Sequence, residues 1–364
     1  MTVHLLEPAL GRVSGGLRYN AAIAEAAVPQ ILRHTVPGAW PEPTPGDTAV
    51  LAGIVRGLDG PVILDGLIGC SLPTPLSGPI VQLVHAPLGR AAPTAGPTSD
   101  STAGPGIAPT AGPTADSTAA GPGTDPSGDP SHVPTARDRE RAALESAAAV
   151  VTTSRFAARE LAELYGVQAH AIPPGAAPRP VAAGGDGGNL ICVASIEENK
   201  NQLLLAEALR ALAESGTTGW HATFAGPVTD PAYGERLRTA LTALPDGSAA
   251  QPGELDEPAL AELYHASDLL LLPSRREAFG MVVSEAAAAG IPAFVTAGTG
   301  AEEALAAGRA LPPEPAAWAD ALRDWLTDPA HRAALRQEAL QRRADLPTWD
   351  DAAAELLDLV QGLR

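Results

Sequence analysis

Apolar and polar positions along the chain fall into two series, each alternating short apolar runs with stretches of helical spacing. Residues 2–7, TVHLLE, predict a first strand. The glycine-bearing turn GRVSGG follows, and LRYNAAIAEAA predicts a helix that ends near Pro29. Three apolar segments come next: TAVLAGIV, PVILDGL and PIVQLVHAP. The last two are short, continuous and β-branched, as buried parallel strands are. Both end in polar residues, Asp65 and His85, and open α/β sheets place ligands at the carboxyl ends of their strands. Further on, ARDRERAALESAA reads as a helix, AVVTTS as a strand, RFAARELAELYG as a helix and VQAHAIPPG as a strand and turn. The small-residue stretch VAAGGDGGN reads as an interdomain linker.

The second series repeats the alternation. NLICVAS, WHATFAGP, DLLLLPS and IPAFVT read as strands. NQLLLAEALRALAES, PAYGERLRTALTAL, ALAELYHAS and the helix opened by AFGMVVSEAAAAG lie between them. Pro315 to Leu363 is helical and amphipathic, broken at Pro347. Alternation in two blocks predicts two doubly wound α/β domains facing each other across a cleft, residues 1–182 and 183–346, with a last helix over 347–364.

Composition and apolar run length add five points. The chain has 364 residues, and its 37 Gly and 36 Pro exceed the usual ~7 % and ~5 %. The excess collects in residues 91–134, with 9 Pro and 7 Gly in 44 positions and Ile107 and Val133 as the large aliphatics. PTAGPTSDSTAGPG from Pro93 is nearly repeated from Pro109. Such a segment cannot bury enough apolar surface to offset its ordering entropy, so it reads as a disordered insertion. The net charge of −18 argues against nucleic-acid partners and against electrostatic docking on anionic lipid. Two cysteines indicate a reducing, cytoplasmic setting. No apolar run approaches ~18 residues and the N-terminus lacks a basic flank with an apolar core, so neither a membrane span nor a secretory signal is expected. Finally, among 24 basic residues there is one lysine, Lys200.

The segment SRREAFGMVVSEAAAAGIPAFV, residues 274–295, carries the densest chemistry. Glu277 falls in the loop after a strand and Glu285 in the first turns of the following helix. Between them Gly280 permits close backbone approach, and amides at a helix start can bind an anion. On charge spacing alone, a solvated loop with a helix-capping glutamate is the commoner arrangement. Other signatures are missing: His and Cys show no metal-ligand spacing, and neither a dinucleotide-binding glycine fingerprint, a Walker lysine motif nor a nucleophile elbow occurs.

PSRREAFGMVVSEAAAAGIPAFV resembles the donor-site motif of retaining glycosyltransferases of the family-4 type. These are built from two Rossmann-like domains, the B-type architecture. LYHASDLLLLPS, GTGAEEAL, CVASIEENKNQLLLAEAL, SGGLRYNAAIAEA and VTTSRFAARELAELYG with AIPPG resemble the segments around that motif, and the wording is closest to an actinobacterial subgroup. The resemblance implies that Glu285 accepts hydrogen bonds from the ribose and that Glu277 binds hydroxyls of the transferred sugar. Amides around Phe279, Gly280 and Met281 would face sugar and diphosphate, with Lys200 neutralising the diphosphate. Gly15 and Gly16 would bring the N-terminal backbone to the phosphates, and His85 would contact the sugar. Asp65, Thr299 and Gly300 are further donor-site candidates. The family's second cation is replaced by Ser195, and Arg18 is the candidate substitute.

The implied activity is metal-independent transfer, with retention, from a nucleotide-diphosphate sugar to an unidentified acceptor. The donor is a co-substrate, no bound cofactor or metal is expected, and the base would be read near Pro252 to Glu254. The last helix would pack back on the N-terminal domain. Two alternatives stay open: a non-catalytic nucleotide-sugar-binding or scaffold protein, and a B-type nucleotide-sugar epimerase. Oligomeric state has no signal in the sequence.

Because disordered length in a surface loop costs only about 0.6 kcal/mol per doubling, deleting residues 91–134 is expected to move the melting temperature by a few degrees at most. A loss of ~10 °C or more in a thermal melt would show that the segment packs.

Overall fold

The computed structural model describes residues 2–11, 14–76, 78–90 and 134–363. The predicted insertion over 91–134 therefore lies outside the described residues, apart from Pro134. The first domain runs β1 (Val3–Pro8), α1 (Gly15–Ala26), β2 (Ile31–Val36), α2 (Pro45–Arg56), β3 (Val62–Asp65), α3 (Gly66–Gly69), β4 (Ile80–Val84), α4 (Ala136–Ser146), β5 (Ala149–Thr152), α5 (Arg155–Tyr165) and β6 (His170–Ala171). The second runs β7 (Asn189–Val193), α6 (Gln202–Glu214), β8 (His221–Ala225), α7 (Pro231–Thr242), β9 (Ala249–Gly253), α8 (Glu257–His265), β10 (Leu269–Leu272), α9 (Met281–Ala288), β11 (Ala293–Thr296), β12 (Gly308–Leu311), α10 (Pro315–Thr327) and α11 (Pro329–Arg342). The last helix is α12 (Trp349–Gly362).

Each domain holds a six-stranded parallel sheet, ordered β2-β1-β3-β4-β5-β6 and β12-β11-β10-β7-β8-β9. Read from β9, the second order is that of a Rossmann fold, and its direction of growth reverses between β7 and β10. In the first sheet the reversal falls between β1 and β3. At such reversals the connections leave on opposite faces of the sheet, and a crevice opens at the carboxyl ends of the two strands.

The central strands are fully buried apolar runs, such as Leu269–Leu272. Three strands escape the sequence reading: β2, β9 and β12. All are at sheet edges and half-exposed, so no continuous apolar run marks them. The apolar segment TAVLAGIV forms the body of α2, which Thr44 and Asp47 start with reciprocal caps. The C-terminal tail breaks at Asp328, which caps α11, as well as near Pro347.

VAAGGDGGN is not a free linker. The Asp268 carboxylate accepts the N–H groups of Gly185, Gly187 and Asn189 at 2.6, 3.2 and 2.9 Å, and Trp325 Nε1 donates to Gly187 O. Ala182, placed by the sequence at the end of the first domain, packs in the core of the second with Tyr264 and Leu270. The chain instead crosses near Ala176, whose N–H donates to Pro347 O on the return crossing. Beyond that point α12 buries Ala352, Ala353, Leu356 and Val360 against Val3, Leu5, Tyr19 and Ile23 of the first domain. A second bond between the domains is made by Glu303. Its carboxylate accepts the N–H groups of Arg155 and Phe156 at the start of α5, where the helix dipole favours an anion.

Leu356 is fully buried in this shared core. Leu356→Ala is expected to cost about 2–5 kcal/mol in denaturant unfolding, with the first domain losing its structure earlier. A cost below about 1 kcal/mol would show that α12 is dispensable to that core.

Candidate functional site

A cavity of about 480 Å³ lies between the facing carboxyl ends of the two sheets. The first domain contributes Gly15, Gly16, Arg18 and His85 to its wall, and the second contributes Ser195, Lys200, Glu277, Phe279, Gly280 and Met281. Four of the predicted residues, Asp65, Glu285, Thr299 and Gly300, stand behind that wall. Glu254, from the segment expected to read the base, also lines it.

Lys200 follows β7 and Glu277 follows β10, the two strands flanking the sheet reversal, so topology brings together residues 77 positions apart. Lys200 Nζ donates to Glu277 Oε1 at 2.6 Å, and Ser274 Oγ donates to the same oxygen at 2.8 Å. Burial alone would lower the lysine's pKa, but the charge and hydrogen bond of Glu277 outweigh it and hold the ammonium above its ordinary value. Asn201 next to it takes a left-handed φ of 53°, a conformation asparagine tolerates better than most residues, and so turns the chain into α6. Behind the Glu277 loop, Gly300 N–H donates to Glu277 O at 2.8 Å, and Thr299 Oγ1 ties to Thr296 O. Gly300 braces the loop, Thr299 holds its own turn after β11, and neither lines the cavity. Gly280 has φ +82° and sits between Leu272 and Ala301, so a glycine is required where the loop turns into α9.

Ser14 caps α1, its Oγ accepting from Leu17 N, and aims the helix start at the cavity. A Cβ on Gly16 would lie 2.7 Å from the His85 ring, whereas one on Gly15 would meet nothing closer than Met281 Cε at 3.8 Å. The ring cannot easily yield. His85 Nε2 lies 3.1 Å from Asn20 Oδ1 and 3.3 Å from Asp65 Oδ2, leaving Nδ1 as the other ring nitrogen. Asn20 Nδ2 also donates to Asp65 Oδ2 at 2.8 Å. Burial would raise the Asp65 carboxyl, but the bond and charge of His85, with the donors of Asn20 and Leu67, hold it below its ordinary value. Asp65 is thus a support for His85. On neighbouring β1, burial pushes the Glu7 carboxyl up, against the pull of Arg33 at 3.4 Å.

Glu285 is nearly enclosed. Arg18 Nη2 donates to its Oε1 at 2.5 Å across the domain boundary, and Tyr264 Oη donates to Oε2 at 3.0 Å. Arg179 Nη2 lies 3.5 Å from the same Oε2, its guanidinium over the Tyr264 ring. Ser195 adds no charge; its carbonyl accepts Gln202 Nε2 at 2.8 Å.

Sequence reasoning missed Asn20, Ser274, Tyr264 and Arg179. Ser274 lies inside the segment singled out, three residues before Glu277, and that spacing was a usable signal. Nothing local marks the others. Among the described residues, no three His, Cys, Asp or Glu side chains gather as a metal ion would need, and no helix is long and apolar enough to cross a membrane.

Residues 178–342 match the family described as glycosyl transferases group 1. A D-inositol 3-phosphate glycosyltransferase of Corynebacterium urealyticum is 36 % identical over 108 residues, 29 % of this chain and 25 % of that protein. The chain thus spans about a quarter of that relative's length. One from Kineococcus radiotolerans is 28 % identical over 262 residues, 60 % of this chain and 58 % of that protein. Among solved structures, sucrose-phosphate synthase from Thermosynechococcus elongatus superposes with a TM-score of 0.73 at 18 % identity, covering 100 % of this chain and 98 % of that one. Anabaena HepE, solved with UDP and glucose, gives 0.71 at 14 % identity, covering 99 % of each chain. The two facing six-stranded sheets are therefore those of the glycosyltransferase B-type fold.

The clearance around the two glycines yields a prediction. Alanine for glycine in a compatible helical turn usually gains about 0.4–1 kcal/mol. Gly15→Ala is expected to be neutral or stabilising in urea unfolding, and Gly16→Ala at least about 1 kcal/mol worse than it. Equal effects would show that His85 is not held against α1.

Proposed function

We propose that this chain is a retaining glycosyltransferase of the family-4 type that draws on a nucleotide-diphosphate sugar and needs no metal. The observation that carries the reading is the meeting of Lys200 and Glu277 at the β7/β10 reversal, directly across the cavity from Gly15, Gly16 and His85. The group 1 match over the second domain, the relatives named as glycosyltransferases, and neighbours of the same fold solved with UDP and a sugar support it.

In this reading the nucleotide lies on the second domain, with ribose at Glu285 and diphosphate beside Lys200 and the Gly280–Met281 amides. The sugar contacts Glu277 and His85. The acceptor enters from the first domain, and its hydroxyl attacks from the same face that the diphosphate leaves. The bond from the anomeric carbon to the phosphate oxygen breaks through an oxocarbenium-like state, the acceptor oxygen takes that carbon, and the departing diphosphate takes the hydroxyl proton. No side chain acts as nucleophile. Negative charge grows on the β-phosphate as the bond breaks, so Lys200 holds the transition state more tightly than the ground state. The relatives' acceptor, D-inositol 3-phosphate, is the first to assay.

A thermal-shift panel of UDP-, GDP- and ADP-glucose tests the donor. A ligand at 100 times its Kd adds about 2.7 kcal/mol, and one base is expected to stand out. Product analysis then separates the alternatives: a scaffold would bind without turnover, and an epimerase would convert the donor with no acceptor present. Lys200→Ala is expected to lose ~10²–10³ in turnover at saturating donor. Glu285→Ala is expected to weaken nucleoside diphosphate binding by about 1.5–3 kcal/mol in calorimetry, with Glu277→Ala sparing it and damaging turnover. Full turnover in Lys200→Ala would overturn the mechanism.

A further inference from the structure

Three cationic side chains line the described cavity wall: Arg18, Lys200 and Arg276. Two of them are arranged alike. Lys200 lies on Glu277, and Ser274 Oγ holds the same carboxylate. Arg18 lies on Glu285, and Tyr264 Oη and Arg179 hold that carboxylate from the other side. In each pair the cation faces the cavity, and the carboxylate keeps another donor if the cation moves away. Arg18 is the looser partner: its side chain is 44 % exposed and that of Glu285 11 %. Arg18 lines the cavity and Glu285 does not, so the guanidinium stands between that carboxylate and the open space.

We propose that Arg18 is a second diphosphate-binding cation, held on Glu285 until a nucleotide ribose takes that carboxylate. The inference rests on the reading of Glu285 as the ribose acceptor. A nucleoside diphosphate brings two or more negative charges into a cleft whose C-terminal wall offers Lys200 and Arg276, in a chain of net charge −18. Arg18 is two residues past Gly16, at the helix start aimed into the same space. Ribose hydroxyls satisfy Glu285 Oε1, Tyr264 and Arg179 continue to satisfy Oε2, and the freed guanidinium turns to the phosphate oxygens, whose geometry suits its bidentate fork. Because α1 belongs to the first domain and Glu285 to the second, this cation reaches the diphosphate only when the cleft is closed.

The test compares each nucleoside with its diphosphate, using uridine and UDP, guanosine and GDP, and adenosine and ADP. Calorimetry is run on the full chain as wild type, Arg18→Ala, Arg18→Gln, Arg276→Ala and Glu285→Ala. For the base that binds, Arg18→Ala is expected to leave nucleoside affinity unchanged or tighter, because the competitor for Glu285 is gone. The advantage of the diphosphate over the nucleoside should shrink about 10- to 100-fold, the worth of one charged hydrogen-bond partner. Arg18→Gln, which keeps a donor toward Glu285 without the charge, should shrink it as well, so the readout survives if the alanine variant does not fold. Arg276→Ala is expected to change the advantage less than either. If the Arg18 variants weaken nucleoside and diphosphate by the same factor, or neither, Arg18 is only a strap between domains and the inference falls. If wild type binds the nucleosides but Glu285→Ala does not weaken them, or if wild type binds none of the diphosphates, the parent reading fails first.

Discussion

Charges away from bulk water must be paired, and the cleft is organised around two pairs that meet this demand. An unpartnered ion in such a place costs several kcal/mol. Lys200 answers Glu277 within the second domain, and Arg18 answers Glu285 from the first. Each carboxylate is further fixed by a hydroxyl, from Ser274 or Tyr264, and the Glu277 loop is braced from behind by the Gly300 amide. The sheet reversal at β7 and β10 supplies the place, and the pairs satisfy the charges brought there.

The same logic explains how so acidic a chain tolerates its surplus of carboxylates. With 42 Asp and Glu against 24 Lys and Arg, many acids cannot find a cation. Several take backbone N–H groups as their main partners. Glu140 is fully buried and accepts Leu88 N, Gly89 N and the Tyr165 hydroxyl, fixing the turn after β4. Asp268 gathers three amides of the segment leading into β7, and Glu303 takes two at the start of α5. Amide donors are strong, fixed and independent of the scarce bases.

Much of this was legible in the sequence because central parallel strands advertise themselves. LICV and LLLL are unbroken apolar runs that place the loops carrying Lys200 and Glu277, while the roles of those two residues came from the family resemblance. Edge strands such as β12, GRAL, are half-wet and carry no such pattern. Long-range pairing is not legible either. Arg18 and Glu285 are 267 positions apart, and neither period nor spacing connects them. Asp65 was readable as a strand-end acid, but its task of holding His85 depends on Asn20, whose position in α1 looks like any other helical residue. VAAGGDGGN misled because small residues suit a tight path along a surface as well as a flexible tether, and only Asp268 decides between them.

The return of α12 to the first domain also bears on how the molecule comes into being. Val3, Leu5 and Ile23 precede the second domain in the chain, and the residues that cover them, Ala352, Ala353, Leu356 and Val360, follow it. On the ribosome the first domain emerges early with one apolar wall uncovered, and it stays so while the whole second domain is synthesised. Domains usually fold as units, the N-terminal one first. Here the second domain, whose sheet is contiguous in sequence from β7 to β12, can complete its fold before the first one does. The earlier-made half waits for the fourteen-residue helix α12, and through that interval its bare face needs protection from other apolar surfaces.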